Sequence, residues 1–382
     1  MKQLKKALAV LLAMVLVFGL AACGKTPEPA ESTASVAATE ESASVEESSE
    51  ASAASQEPAQ PTGELNDTSL YLVTDLGTMD DKSFNQGSFE GLQKLAGELG
   101  LKANYLKPAG EGDQIYLQAV EQTIADGAKV VVTPGFLFIG AVGTAQSKYP
   151  DVKFIAVDFA PSVDGETVIN NNTVSIIYHE EQAGFLAGYA AVKDGYTKLG
   201  FMGGVAVPAV IRYGFGFAAG ANYAAKELGT KVELKYNYTG SFTEKPEIQT
   251  AAASWYQNGT EVIFSCGGGI AASVLKAAQE NNGKMIGVDV DQKDMGEQVI
   301  TSAMKNLSNS VYEASKSVTD GTFPGGQQLN LGVKENGVQL SDDFSRFTKF
   351  TEDDYKAIYE KLVNNVDGLT DSIPVINTEL GE

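Results

Sequence analysis

The glycine run Gly267-Gly268-Gly269-Ile270-Ala271-Ala272 follows the apolar stretch Val262–Ser265 and fits the pattern G-x-G-x-x-A at the opening of a helix. Asp289 stands about 20 residues on, at the end of the next apolar stretch, where an acid that bonds ribose hydroxyls belongs in a dinucleotide site. The same glycines would equally make a tight strand-to-helix turn. Nucleophilic hydrolysis has little to work with. A Ser–His–Asp or Cys–His device would need His179, the single histidine, which lies early in a helix pattern between Tyr178 and Glu180. Cys266 ends an apolar run and reads as a small core residue. No histidine cluster or cysteine pair offers zinc ligands, and Asp80-Asp81 and Asp289-Val290-Asp291 lack the spacing of a calcium loop.

The aromatics carry more. Phe84 and Phe242 occupy corresponding strand-to-helix turns, and Phe136 and Tyr213 stand beside Gly135 and Gly214. Two such rings facing across a cleft would form a slot for a planar ring, a base–aromatic stack being worth about 1–3 kcal/mol. Carboxylates accepting from hydroxyls and ring N–H groups would then suit a nucleoside, although sugars also stack on aromatics. Phe84 by itself could also be a packing residue at a helix start.

Those turns need elements to hold them. Leu70–Val73 reads as a buried strand, and Ser83 with Gln86 as a capping box before a helix whose apolar stripe runs Phe89, Leu92, Leu95, Ala96 and Leu99 to Gly100. Strand and helix patterns then alternate. Strands are expected over 102–106, 129–133, 153–158, 173–177, 198–203, 231–238, 262–265, 284–288 and 299–304. Helices are expected over 113–125, 139–149, 178–191, 214–226, 245–258, 270–281, 308–319 and 352–364, with 337–347 irregular. Two blocks of alternating βα units predict an α/β protein with two Rossmann-like lobes of parallel sheet flanked by helices. Ligands bind such sheets beyond the strand carboxyl ends. Asp75, Phe84, Asn85, Phe136 and Asp158 of the first block should therefore face Tyr213, Phe242, Gly267 and Asp289 of the second.

The first 66 residues have another purpose. Lys2, Lys5 and Lys6 precede the apolar run Ala7–Leu20, the plan of a secretory signal, and the run is too short to span a bilayer. It ends Leu20-Ala21-Ala22-Cys23, which resembles a lipobox, so Cys23 is the expected lipidation site and 1–23 the signal; an incidental cysteine after an ordinary cleaved signal is the alternative. Residues 24–66, almost all Ser, Ala, Glu, Pro, Thr, Val and Gln, read as a disordered acidic linker. Loss of the signal lysines takes the formal charge from −21 to about −24, which argues against nucleic-acid binding and against highly anionic ligands. A tethered protein outside the membrane has no ready supply of nicotinamide cofactor. Dinucleotide chemistry is set aside on that ground, and Asp289 kept as an acceptor for sugar hydroxyls. With Cys266 the only cysteine beyond Cys23, no internal disulfide is possible.

The stretch VTDLGTMDDKSFNQGSFEGL (73–92) resembles the opening motif of the basic membrane protein (BMP) family, the PnrA-like lipoproteins, which include a purine-nucleoside-binding member. PGFLFIGAV (134–142), FIAVD (154–158), GFMGG…GFAAGANYA (200–224), YTGSFTEKPEI (238–248), IGVDVDQ (286–292) and TSAMKNL (301–307) continue the resemblance over nearly everything after residue 67. It implies a type I periplasmic-binding-protein fold whose lobes close by a hinge around ligand, with lobe 1 over 67–175 plus about 290–322 and lobe 2 over 176–289 plus about 323–382. It further implies the substrate-binding component of an ABC importer, a monomer without catalysis or cofactor that serves a membrane permease. Phe84 and Phe242 would sandwich the base of guanosine, inosine or adenosine. Asp158 and Asn85, with Asp75 nearby, would bond the base edge or shape that wall. Asp289 and Lys305 would hold the ribose hydroxyls, Lys305 pairing with Asp289, and Gly267 would give close backbone approach. Tyr213 stands where the family often has Phe, which points to a more polar pocket. A receptor for a sugar or other small polar ligand is the alternative, and a surface adhesin or signalling lipoprotein a more distant one.

Overall fold

A computed structural model describes residues 65–375. The leader expected over 1–23, with Cys23, and nearly all of the linker lie outside the described residues. The end of that expected linker belongs to the fold. Leu65 packs against the core, and the Asn66 carbonyl accepts from Ser69 N at 3.0 Å.

The first block runs β1 (Leu70–Val73), α1 (Phe84–Leu99), β2 (Ala103–Leu106), α2 (Asp113–Ala125), β3 (Val130–Pro134), α3 (Ile139–Lys148) and β4 (Lys153–Val157). A two-stranded hairpin, β5 (Ser162–Val163) and β6 (Glu166–Thr167), precedes β7 (Thr173–Tyr178). The second block runs α4 (Glu180–Asp194), β8 (Lys198–Gly203), α5 (Pro208–Leu228), β9 (Glu233–Tyr238), α6 (Pro246–Gln257), β10 (Val262–Cys266), α7 (Ile270–Asn281) and β11 (Lys284–Asp289). The tail holds β12 (Val299–Lys305), α8 (Leu307–Thr319), β13 (Gln328–Leu331), β14 (Val338–Leu340) and α9 (Glu352–Val363).

Two six-stranded sheets result, ordered β13-β7-β4-β3-β1-β2 and β14-β12-β11-β10-β8-β9. Within these two sheets every pairing is parallel except β12 with β14. Strands covered by helices on both faces read as unbroken apolar runs, and β3, β4 and β10 are buried along their whole length. Each sheet reverses its winding once, between β1 and β3 in the first and between β8 and β10 in the second. Crevices at such reversals are where open α/β sheets take ligands.

Two local expectations change. The capping box at α1 does not form, since the Ser83 side chain makes no cap hydrogen bond. Asp81 caps instead, accepting from the amides of Ser83, Asn85 and Gln86 at 2.8, 3.0 and 3.2 Å. Helix α5 starts at Pro208 rather than near Tyr213, because proline at the first helical turn needs no N–H partner.

The lobe division also differs from the expected one. Strand β12 hydrogen-bonds β11 and so belongs to the second sheet; of the tail expected with lobe 1, α8 packs on α1. Strand β13, expected with lobe 2, pairs with β7 in the first sheet. The reason is that the chain crosses between sheets three times, at Tyr178–Glu180, Lys305–Leu307 and Leu331–Val338. The crossings lie side by side: His179 N donates to Leu331 O at 3.1 Å and Asn306 N to Gly337 O at 2.9 Å. Helices α4 and α5 meet at backbone distance, since a Cβ on Gly216 would stand 2.0 Å from the Glu181 carbonyl oxygen and one on Gly220 1.9 Å from that of Phe185. That approach sets the start of α4 beside Arg212 and Tyr213. Among the described residues no helix is long and apolar enough to cross a membrane.

Candidate functional site

The winding reversals of both sheets open on one cavity with about 620 Å³ of atom-free space, counting the part continuous with solvent. Asp75, Phe84, Asn85, Phe136 and Asp158 line it from the first block, and Tyr213, Phe242, Gly267, Asp289 and Lys305 from the second block and β12. All ten candidate ligand-binding residues thus share one hollow. Asp81, Leu137, Val207 and Val210 line it too.

The two phenylalanines are held differently. Phe84 is the first residue of α1, with its ring edge against Gly135. One edge of the Phe242 ring lies against Gly204, where a Cβ would come 2.5 Å from Cδ1. Its carbonyl accepts from Gly269 N at 2.9 Å. The glycine run therefore spends that amide on the Phe242 loop rather than on a phosphate. The next three amides, of Ile270, Ala271 and Ala272, are directed to the carbonyls of Gly267, Gly268 and Gly269. Gly267 gives the close approach the sequence suggests, but to protein: a Cβ there would stand 2.7 Å from Gly204 Cα.

Asn85 is fully engaged. Its Nδ2 donates to Asp75 Oδ1 at 2.8 Å and Asp81 Oδ2 at 3.0 Å, and its Oδ1 accepts from Asp75 N at 3.2 Å. Of the two roles left open for it, this geometry fits a wall rather than a ligand contact. Burial pushes the Asp75 carboxyl up against the pull of Asn85 and Gly77, and pushes Asp81 up to about 6 against its amide donors. The Tyr213 hydroxyl donates to Ala303 O at 3.3 Å, so the polarity it adds is turned away into backbone.

Lys305 is the centre of the charges. Its ammonium pairs closely with Asp158 Oδ2, lies 3.1 Å from Glu180 Oε1 and 3.9 Å from Asp289 Oδ1, and sits over the rings of Phe84, Tyr178 and Tyr213 at 4.9, 5.4 and 5.4 Å. The expected pairing with Asp289 is present but is the longest of the three, with Asp158 and Glu180 nearer, while the other Asp289 oxygen, Oδ2, accepts from Ser83 Oγ at 2.5 Å. Burial alone would lower the Lys305 pKa, but Asp158, Glu180 and Asp289 together hold it above the usual lysine value. Burial raises Asp158 and Asp289, with Lys305 pulling both back. Asp158 Oδ1 is buried and has no hydrogen-bond partner, so the hollow offers an acceptor that nothing in the chain satisfies.

Glu180 and Arg212 escaped the sequence reading. An acid in a helix's first turn reads as a complement to the helix dipole, and nothing in its spacing announces a partner 125 residues away. Ser83 was legible only as a cap.

The family described as "Bmp: ABC transporter substrate-binding protein PnrA-like" matches residues 69–372. The chain is 30% identical over 302 residues to the ABC transporter nucleoside-binding protein BmpA of Lactococcus lactis subsp. cremoris, covering 72% of this chain and 82% of that protein. It is 29% identical over 304 residues to an uncharacterized lipoprotein of Pyrococcus abyssi, covering 75% and 73%. The crystal structure of an ABC transporter solute-binding protein from Aeropyrum pernix K1 superposes with a TM-score of 0.68 at 24% identity, covering 78% of this chain and 91% of that one, a likeness of fold. A two-sheet clamp with its hollow between the strand ends, matched along nearly the whole described chain, makes this protein a member of the Bmp family of PnrA-like ABC transporter substrate-binding proteins.

Proposed function

We propose that the protein is a lipid-anchored receptor on the outer face of the cell membrane that binds purine nucleosides (guanosine, inosine or adenosine) and hands them to an ABC permease without chemistry. The carrying observation is the placement of Phe84 and Phe242, from opposite blocks, in one hollow with the unpartnered Asp158 Oδ1 and the Lys305–Asp289 gap. Two rings bracket a planar base. The 3.9 Å between Lys305 Nζ and Asp289 Oδ1 is too long for a direct hydrogen bond, and a ribose hydroxyl between them would accept from one and donate to the other. Four lining carboxylates against one ammonium disfavour a phosphorylated ligand. The name of the Lactococcus relative, a nucleoside-binding protein, agrees with this reading. The lobes would act as a single monomeric clamp, hinged at the three crossings and tethered through Cys23.

Calorimetry on protein unfolded and refolded to strip bound ligand tests the reading, with inosine, guanosine, adenosine, hypoxanthine and ribose as titrants. Saturable binding of a nucleoside, tighter than of its base or of ribose, is expected. Binding of ribose alone would turn the reading to a sugar receptor, and no small-ligand binding to an interaction protein. Loss of radiolabelled palmitate from Cys23→Ala checks the anchor.

A further inference from the structure

Glu180 does not line the cavity, is completely buried, and is the first residue of α4 after the chain crosses from β7. Lys305, the last residue of β12, stands just before the neighbouring crossing. Their side chains therefore meet where the hinge strands run together. Behind Glu180, Arg212 Nε donates to Oε2 at 2.5 Å, with Glu181 Oε2 further off at 3.9 Å. In front, Oε1 faces the Lys305 ammonium at 3.1 Å. Charges alternate along this line from Arg212 through Glu180 and Lys305 to Asp158.

An ammonium has three hydrogens in fixed tetrahedral directions. Around Lys305 three rings close off other directions, and the nearby polar partners are three carboxylates. Asp158 accepts one hydrogen, and Glu180 Oε1 stands 3.1 Å away as a counter-charge that accepts no hydrogen bond. Without the Glu180 charge the ammonium would swing toward Asp289, the remaining carboxylate within 4 Å, and close the gap between them. A buried charge seeks the nearest partner that can neutralise it.

We propose that Glu180, backed by Arg212, is the positioning residue for Lys305, its charge holding the ammonium back from Asp289 and so keeping open the gap where a ligand hydroxyl is held. The hydroxyl in this statement rests on the nucleoside reading; the position of the ammonium does not.

The test has two arms, chosen so that the two ideas fail separately. In ligand-stripped protein carrying 15N-lysine, the buried Lys305 ammonium should give a slowly exchanging 1H–15N signal, assigned by its loss in Lys305→Met. Glu180→Gln should shift or broaden that signal, and Arg212→Gln, the second variant should the first not fold, should shift it as well. In calorimetry, the wild-type preference for inosine over 2′,3′-dideoxyinosine should fall by about tenfold in Glu180→Gln. A purely structural role would lower thermal stability and leave that ratio alone. An unchanged ammonium signal in the folded variants, or an unchanged ratio, overturns the proposal. Failure of wild-type protein to bind inosine overturns the nucleoside reading, and the ammonium signal still decides the role of Glu180.

Discussion

Asp158 and Asp289 adopt the same left-handed backbone, φ 69° and 67°, at equivalent places at the carboxyl ends of β4 and β11. Non-glycine residues rarely hold that conformation, and aspartate tolerates it better than most because its short side chain can bond locally. Here the carboxylates of both are turned to the same cation, Lys305. Backbone strain of this kind clusters at ligand clamps, and the two sheets repeat it across one hollow.

Asp289→Asn keeps a residue that accepts the left-handed backbone while removing the charge, and Phe242→Ala removes one wall of the slot. Each should weaken nucleoside binding by at least about 1 kcal/mol, measured by calorimetry on refolded protein. Unchanged affinity in both would remove these residues from the site.

The Ser83 hydroxyl joins the first block to the second through Asp289, beside a second bridge in which Gln292 Nε2 donates to the Lys82 carbonyl at 2.9 Å. A hydrogen bond to a charged acceptor contributes about 1.5–3 kcal/mol, so Ser83→Ala should favour the open clamp. Small-angle scattering of the ligand-free variant should give a larger radius of gyration than wild type. Identical curves would mean the bond does not hold the lobes together.

Asp81 supplies a pH dependence whose sign can be worked through. Burial raises its pKa to about 6 in the fold, against about 3.9 unfolded. The folded chain therefore binds the extra proton between these values, and the stability tied to this group falls as pH rises from about 4 to 6, then stays level. Its size is about 3 kcal/mol. Urea unfolding of wild type and Asp81→Asn across this range should show the difference between them moving against wild type up to about pH 6. A difference independent of pH would contradict the shifted carboxyl.

Helices α4 and α5 leave no room for a methyl group. Gly220→Ala would set its Cβ 1.9 Å from the Phe185 carbonyl oxygen, which backbone cannot yield without separating the helices. A loss of about 1–3 kcal/mol or more is expected in chemical unfolding. A variant as stable as wild type would mean that the helices can part at no cost.

Much of the architecture is legible along the chain because its signals are local. Apolar runs such as Val130–Thr133, punctuated by glycine and proline, announce buried strands, and their alternation with amphipathic helices implies parallel sheets. What escapes is short or polar. Strand β13, Gln-Leu-Asn-Leu, has no apolar run and exists because β7 offers it a free edge, while β14 forms only against β12. The lobe boundaries shift for the same reason, as a crossing between sheets leaves no mark in hydropathy.

The sequence by itself determined the α/β class, the family resemblance, and the strand ends that carry Asp75, Phe84, Asp158, Phe242 and Asp289. Only the tertiary structure decided which polar groups meet: that Lys305 turns to Asp158 and Glu180, and that Ser83 leaves its cap for Asp289. Helix and strand periodicity act over a few residues and can be read in order. Ion pairs and buried hydrogen bonds depend on distances of a few ångströms between segments 100 or more residues apart, and those exist only once the sheets have closed on one another.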